Sequence, residues 1–256
     1  MNTFESIQET IKYAQKYGGQ LTEKQLFERL IGDRVYTEEE INRVIKLLSY
    51  KVGKLEEKNN ILEEKNKKAE ELVNKISRNF KDILFLGITG SVAAGYPKKN
   101  NDIDLIIITK INKLWIIRLK LRFFIMVNKI PHRKFGKKEK TDEFCFNLWL
   151  DEKSLELGKE KQNLKNAVDL ILMKPLINRS KTYEKFILAN DWAKKYVATG
   201  YSLKKPSPGV NRGISLDRED LLEIIINWLM FWMQFLYMKR KIKNEKVGLH
   251  EAFFHH

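Results

Sequence analysis

FLGITGSVAAGYPKKNNDIDLIIIT, running from Phe85 to Thr109, decides the fold of this chain. Two apolar runs rich in β-branched residues are joined through Gly90-Ser91 and a polar loop, and the second run opens on Asp102 and Asp104. Runs of this composition predict two buried strands. Alternate side chains share a face of a strand, so Asp102 and Asp104 point one way while Ile103 and Leu105 point into the core. Two carboxylates held that close repel each other unless a cation sits between them. A hard divalent ion such as Mg²⁺, with phosphate oxygens completing its octahedron, is the usual partner. A Gly-Ser turn after a strand lets backbone N–H groups and one hydroxyl approach phosphate without a side chain in the way. Each half alone is ordinary, since Gly-Ser turns and solvated Asp-x-Asp strand ends are common. Their order along one segment points to transfer of a phosphorus-centred group.

GSVAAGYPKKNNDID, Gly90 to Asp104, resembles the signature of the DNA polymerase β-like nucleotidyltransferase superfamily, particularly its small prokaryotic members with a Gly-Ser-x-Ala-Arg-Gly opening. The spacing from Ser91 to Asp102 fits that pattern without a gap, and the close resemblance covers about Ile83–Asp151. It implies that Gly90 and Ser91 bind the triphosphate and that Asp102 and Asp104 hold two Mg²⁺ ions, with ATP or another nucleoside triphosphate as substrate. Ala94 stands where those members carry Arg, which leaves Lys98 or Lys99 to supply the cation near the phosphates. The superfamily's third carboxylate sits on a later strand. EFCFNLWL, Glu143–Leu150, alternates and predicts that strand, and its FNLWL segment puts Asn147 at the third position. Asn coordinates weakly through its carbonyl and cannot act as a base near neutral pH. Glu143 and Asp151 share its face but lie four residues away, about 13 Å along a strand.

The 256 residues are enough to bury a sizeable core and suggest two or three small units. With 48 Lys and Arg against 33 Asp and Glu, the net charge of +15 favours a polyanionic partner, nucleic acid among them, although abundant scattered lysine gives the same total. Cys145 is the only cysteine, which excludes a disulfide within one chain and suits a reducing, cytoplasmic setting. MNTFESIQET lacks a basic region followed by an apolar core, so no secretory signal is expected.

Residues 1–50 read as three short helices: Ile7–Tyr17, Glu23–Ile31 behind a capping box at Thr22–Gln25, and a third behind Thr37–Glu40 that runs to about Ser49. Three such helices resemble the helical part of a winged-helix domain. Glu38, Glu39 and Glu40 suit the dipole of the third helix but repel DNA where that helix would meet it, which argues against a DNA-binding regulator. Lys54–Phe80 predicts a linking helix packed through Ala69, Leu72, Val73, Ile76 and Phe80. Leu114–Val127 carries Arg118, Lys120 and Arg122, too short and too charged for a membrane span, and reads as a mostly buried helix returning the chain to the sheet. His132, Arg133, Lys134, Lys137, Lys138 and Lys140 form a cationic loop that either holds an acceptor or is simply solvated. From Ser154 onward the pattern is helical, interrupted by a loop over Thr199–Asp217. Leu221–Met238 is the most apolar segment. Its stripe of Glu223, Asn227 and Gln234 suits a helix buried in a bundle better than a membrane anchor, with the stripe toward solvent or polar partners. His255-His256 imply no metal site.

The expected fold is therefore α/β, a nucleotidyltransferase core with a small mixed sheet, flanked by amino-terminal winged-helix-like and carboxy-terminal helical regions. The expected boundaries are 1–50, 51–80, 81–155 and 156–256. The resemblance implies Mg²⁺-dependent transfer of a nucleoside monophosphate, AMP from ATP, to a hydroxyl on a protein, RNA or small molecule. The alternative is a nucleotide-binding sensor or scaffold on the same, catalytically weakened fold, to which Ala94 and Asn147 point. Nucleic acid remains a partner candidate through the basic charge, and no membrane span is expected.

Overall fold

The computed structural model describes residues 1–48, 60–133, 141–206, 221–240, 242 and 245–254. The elements in chain order are α1 (Thr3–Lys16), α2 (Glu23–Glu28), α3 (Glu38–Leu48), α4 (Asn60–Asn79), β1 (Ile83–Ile88), α5 (Gly90–Ala94), β2 (Ile103–Thr109), α6 (Leu114–Val127) and β3 (Phe144–Asp151). They continue with α7 (Leu164–Leu172), β4 (Lys174–Asn178), α8 (Thr182–Ala189), α9 (Lys194–Lys204), α10 (Leu221–Lys239), β5 (Lys246–Val247) and β6 (Glu251–Phe253). The six strands form one mixed sheet in the order β4-β1-β2-β3-β6-β5. Only β2 and β3 run parallel, and α6 makes the crossover that a parallel pair requires.

Alternation along β2 serves both faces of the sheet. Ile103, Leu105 and Ile107 pack with Ala69, Leu72 and Ile76 of α4 and Leu114, Ile117 and Leu121 of α6. Ile106 and Ile108 pack on the opposite face with Ala167 and Ile171 of α7, Phe186 of α8 and Val197 of α9. A sheet covered on both faces explains why these strands read as nearly continuous apolar runs.

Both capping boxes form, with Thr22 accepting from the Gln25 N–H and Thr37 from the Glu40 N–H. The three amino-terminal helices have a core of their own that includes Ile7, Leu26, Leu30, Tyr36 and Ile41. Gly32 fastens this unit to α9, donating to Tyr196 O at 2.7 Å and accepting from the Ala198 N–H at 2.9 Å. Gly200 is obligatory at this contact, because a Cβ there would lie 2.4 Å from Glu28 O. A wing does not appear among the described residues, and the winged-helix likeness rests on the three helices alone.

The structure corrects several expectations. Residues 156–256 are not wholly helical: β4, β5 and β6 complete the sheet there. They escape a reading by periodicity because they are two to five residues long, and Pro175 sits in β4, an edge strand where a missing N–H is tolerated. Thr199–Lys204 belongs to α9 rather than to a loop. Residues 54–59, 134–140, 207–217 and His255-His256, on which parts of the linking helix, the cationic loop, the carboxy-terminal loop and the terminal histidines were read, lie outside the described residues. Helix α6 is buried on one side only, with Leu119, Phe123, Met126 and Val127 exposed.

The largest correction concerns α10, expected to be buried in a bundle but exposed along its apolar side. Its polar stripe turns inward, onto polar partners along α6. Asn227 Oδ1 accepts the Trp115 N–H at 2.9 Å, Gln234 Oε1 accepts from Arg118 at 2.6 Å, and Lys113 pairs with Glu223. Burial holds the Arg118 guanidinium well below its usual range, so the Gln234 oxygen is a needed partner. The apolar side of α10 faces outward. By length and composition alone it is the one described helix able to cross a membrane.

Candidate active site

Thr89, just past the end of β1, donates its N–H to Asp104 O at 2.9 Å, and the chain turns at once into α5. Gly90 makes that turn with φ +64°, and a Cβ there would lie 2.5 Å from Asp104 Oδ2. Glycine is required twice over, by conformation and by the closeness of the carboxylate. The expected Gly-Ser turn is thus the first residue pair of a short helix.

Asn101 orders the loop between α5 and β2. Its Oδ1 accepts the Lys98 N–H at 2.7 Å and lies 3.4 Å from Ser91 Oγ. Lys65 of α4, almost wholly buried, donates to Asn101 O at 2.6 Å and pairs with Asp142 at 2.8 Å, which Lys68 also holds. A buried lysine needs such partners. Here they anchor the phosphate-side loop to the helix beneath it.

Asp102 and Asp104 come together as expected, but in different environments. Asp104 is partly exposed, whereas Asp102 is only 4 % exposed and paired with Arg133 at 3.1 Å. Arg133, brought in by the backbone bond from its N–H to Phe144 O, is the partner that this buried carboxylate needs. β3 supplies the rest of the site. Cys145 stands opposite Asp104 in the parallel register, and Asn147 is the extra residue of a bulge between the Leu105–Phe146 and Ile106–Leu148 pairs. That bulge aims Asn147 back at the pair: Asn147 Nδ2 donates to Asp104 Oδ1, and Cys145 Sγ donates to Asn147 Oδ1 at 2.9 Å.

Ligand atoms of Asp102, Asp104 and Cys145 all lie within 4.8 Å of one another. Burial, and then the charges of Asp104 and Asp102, push the Cys145 thiol up, so without a metal it stays protonated. The two carboxylates suit a hard, oxygen-seeking cation, while Asn147 turns its amide nitrogen to Asp104 and its oxygen to Cys145. Glu143 precedes β3 and contributes its backbone carbonyl to the Ile103 N–H. Asp151 is buried at the far end of β3, accepting from the Asn112 and Lys153 N–H groups and contacting His250 Nδ1 at 2.7 Å. Neither lines the cleft beside Asp104.

That cleft measures about 330 Å³. Gly90, Ser91, Lys98, Asp104 and Asn147 form one wall, while α1 and α7 form the other with Tyr13, Lys16, Tyr17, Lys165 and Asp169. Lys99 is exposed outside it. Residues 69–191 match the nucleotidyltransferase domain family. The match spans just under half of the chain and contains every residue of the Gly90–Asp104 signature, together with Asn147 and α7. No curated protein and no solved structure matches the chain. The region that matches the nucleotidyltransferase domain family therefore shares its cleft with a helix from outside the match. Arg29 of the amino-terminal unit donates to Ala94 O at 2.8 Å and lies over the Tyr96 ring, fixing that unit at the end of α5.

Tyr13, Lys16, Tyr17 and Asp169 were not legible as cleft residues, because α1 precedes the signature by more than seventy residues and α7 reads as an ordinary amphipathic helix. Burial pushes the Asp169 carboxyl up to about 6, against the opposing charge of Lys165. A carboxyl raised above its unfolded value binds more protons in the folded state, so stability falls as pH rises from about 4 to about 6. Asp169→Asn is expected to leave stability unchanged below pH of about 4 and to raise it above pH of about 6. The ceiling is about 3 kcal/mol, reduced by the carboxyl's partial exposure. Urea unfolding of both proteins at acidic and neutral pH checks this, and equal curves at neutral pH would refute it.

Proposed function

We propose that the protein transfers a nucleoside monophosphate, AMP from ATP, to an acceptor hydroxyl with Mg²⁺. The observation that carries this is the convergence of Gly90, Ser91, Lys98, Asp104 and Asn147 on one wall of one cleft, with Asp102 held behind them. The two carboxylates fit the metal: Asp102 and Asp104 would hold it, and the Asn147 amide oxygen would join them on turning from the Cys145 thiol. When bound, two such ions supply positive charge to the attacking and leaving oxygens of an in-line displacement.

The chain's own groups do the positioning. Gly90 lets phosphate approach the backbone, Ser91 offers a hydroxyl, and Lys16, Lys98 and Lys165 bring positive charge to the cleft where Ala94 brings none. Burial raises the Tyr13 and Tyr96 phenols, which stay protonated as donors toward a bound nucleotide. In the reaction the acceptor oxygen bonds to the α-phosphorus, the bond to the pyrophosphate oxygen breaks, and the acceptor proton passes to water, because the third position holds an amide. A second reading, a nucleotide-binding sensor on a weakened site, is favoured by Asn147, which puts an amide where a carboxylate would take that proton. The buried Cys145 thiol suits a cytoplasmic setting.

The direct test offers the four nucleoside triphosphates labelled at the α-phosphate, with Mg²⁺ and cell extract as the source of acceptor. Label on an acceptor from ATP, lost in EDTA, supports transfer. Binding of ATP without any label on an acceptor supports the sensor, and absence of both binding and transfer sinks both readings.

A further inference from the structure

Helix α10 is built inside out. Its polar residues Asn227 and Gln234 are spent on α6, and its outward side carries Ile225, Leu229, Trp232 and Leu236 at a spacing of three and four residues. α6 packs alongside and presents Phe123 and Met126, each more than 60 % exposed. A helix of 19 residues is about 28 Å long and, with its neighbour, about 20 Å wide, so the apolar face is on the order of 500 Å². That is at the upper range for the surface of a soluble monomer and calls for an occupant.

We propose that this face docks on an anionic lipid surface, with α10 lying in the plane of the membrane interface. Charge selects the occupant. α6 contains no acidic residue, and the one acidic residue of α10, Glu223, is paired with Lys113. Lys120 of α6, Lys239 at the end of α10 and Arg240 after it are exposed. A second copy would bring the same cations against these, on a chain already at +15, whereas anionic headgroups complement them. Trp228, Trp232 and Tyr237 are exposed on the same helix, the residue types that settle at the membrane–water boundary. The hydrogen bonds of Asn227 and Gln234 to α6 tie α10 to the folded domain, which makes it a surface helix rather than a span.

The test is sedimentation of the full chain with vesicles of phosphatidylcholine and of phosphatidylcholine mixed with phosphatidylglycerol, with no nucleotide present, so that its outcome is independent of the transfer reading. Binding to the mixed vesicles is expected, with tryptophan emission moving to shorter wavelength. It should be at least about tenfold weaker on the neutral vesicles and in high salt. The double variant Leu229→Gln, Leu236→Gln should weaken binding at least about tenfold, since each leucine contributes burial in the interface. Both side chains are exposed, so the circular dichroism spectrum should stay unchanged. No binding to either vesicle overturns the proposal. So does a dimer by light scattering that the double variant dissociates and vesicles do not bind, because the face would then belong to a second copy.

Discussion

Asp104→Asn is expected to lower nucleotidyl transfer at least about 10³-fold while leaving the unfolding midpoint close to wild type. Asp104 stands on the cleft wall with Ser91 and Lys98, and its neighbours include a second carboxylate. Removing its charge deprives the metal of an anionic ligand, and metal-supplied charge stabilisation of several kcal/mol corresponds to about three powers of ten in rate. The fold loses little, because an amide can occupy the same space and the repulsion from Asp102 disappears. Asp102→Asn is expected to behave differently. Asp102 is buried against Arg133, so the variant should lose transfer and also about 1–3 kcal/mol of stability, the size of a hydrogen bond to a charged group. Thermal melts in EDTA beside α-label assays separate the two. Equal destabilisation by both substitutions would mean that the pair is structural, and the metal-site reading would fall.

The contrast between the two aspartates shows what the sequence could and could not carry. Period-two alternation and the Gly90-Ser91 break placed β1, β2 and the carboxylate pair, because local backbone geometry alone decides which side chains share a strand face. β3 was legible for the same reason, and the structure places its Asn147 against Asp104. The burial of Asp102 was not legible. It depends on Arg133, 31 residues away, arriving through a backbone bond to β3 that no local pattern encodes. The far wall of the cleft was hidden likewise, since Tyr13 and Lys16 reach it only because Gly32 and Gly200 let the amino-terminal unit close onto α9.

Helix α10 failed for a different reason. Periodicity located the polar stripe correctly, and Glu223, Asn227 and Gln234 do share one face. Amphipathicity does not say which face is inside, and the usual assumption puts the apolar side there. Buried Arg118 and the Trp115 backbone reversed it by needing polar partners, which leaves the apolar side as the outer surface.

Asn147→Asp is expected to raise transfer by about 10²-fold and to tighten Mg²⁺ binding. In the wild-type site Asn147 Nδ2 donates to Asp104 Oδ1 and its Oδ1 accepts from the Cys145 thiol, so the residue is fixed in place by both neighbours. An aspartate there keeps the thiol bond, since either carboxylate oxygen accepts it, and turns the other oxygen toward Asp104. Without metal the three carboxylates repel one another, so the variant should melt lower than wild type in EDTA and regain the difference on adding Mg²⁺. With metal, the new carboxylate supplies both a charged ligand and a base for the acceptor proton. A positioned base contributes typically about 10²–10⁴-fold, and the lower figure applies because neighbouring side chains were packed around an amide. If wild-type transfer is undetectable and appears in the variant, the natural protein is the sensor and the variant restores its chemistry. If wild-type transfer is fast and the variant is slower, Asn147 holds Asp104 in a working geometry and the proton leaves by another group, with Asp169 across the same cleft the first to test.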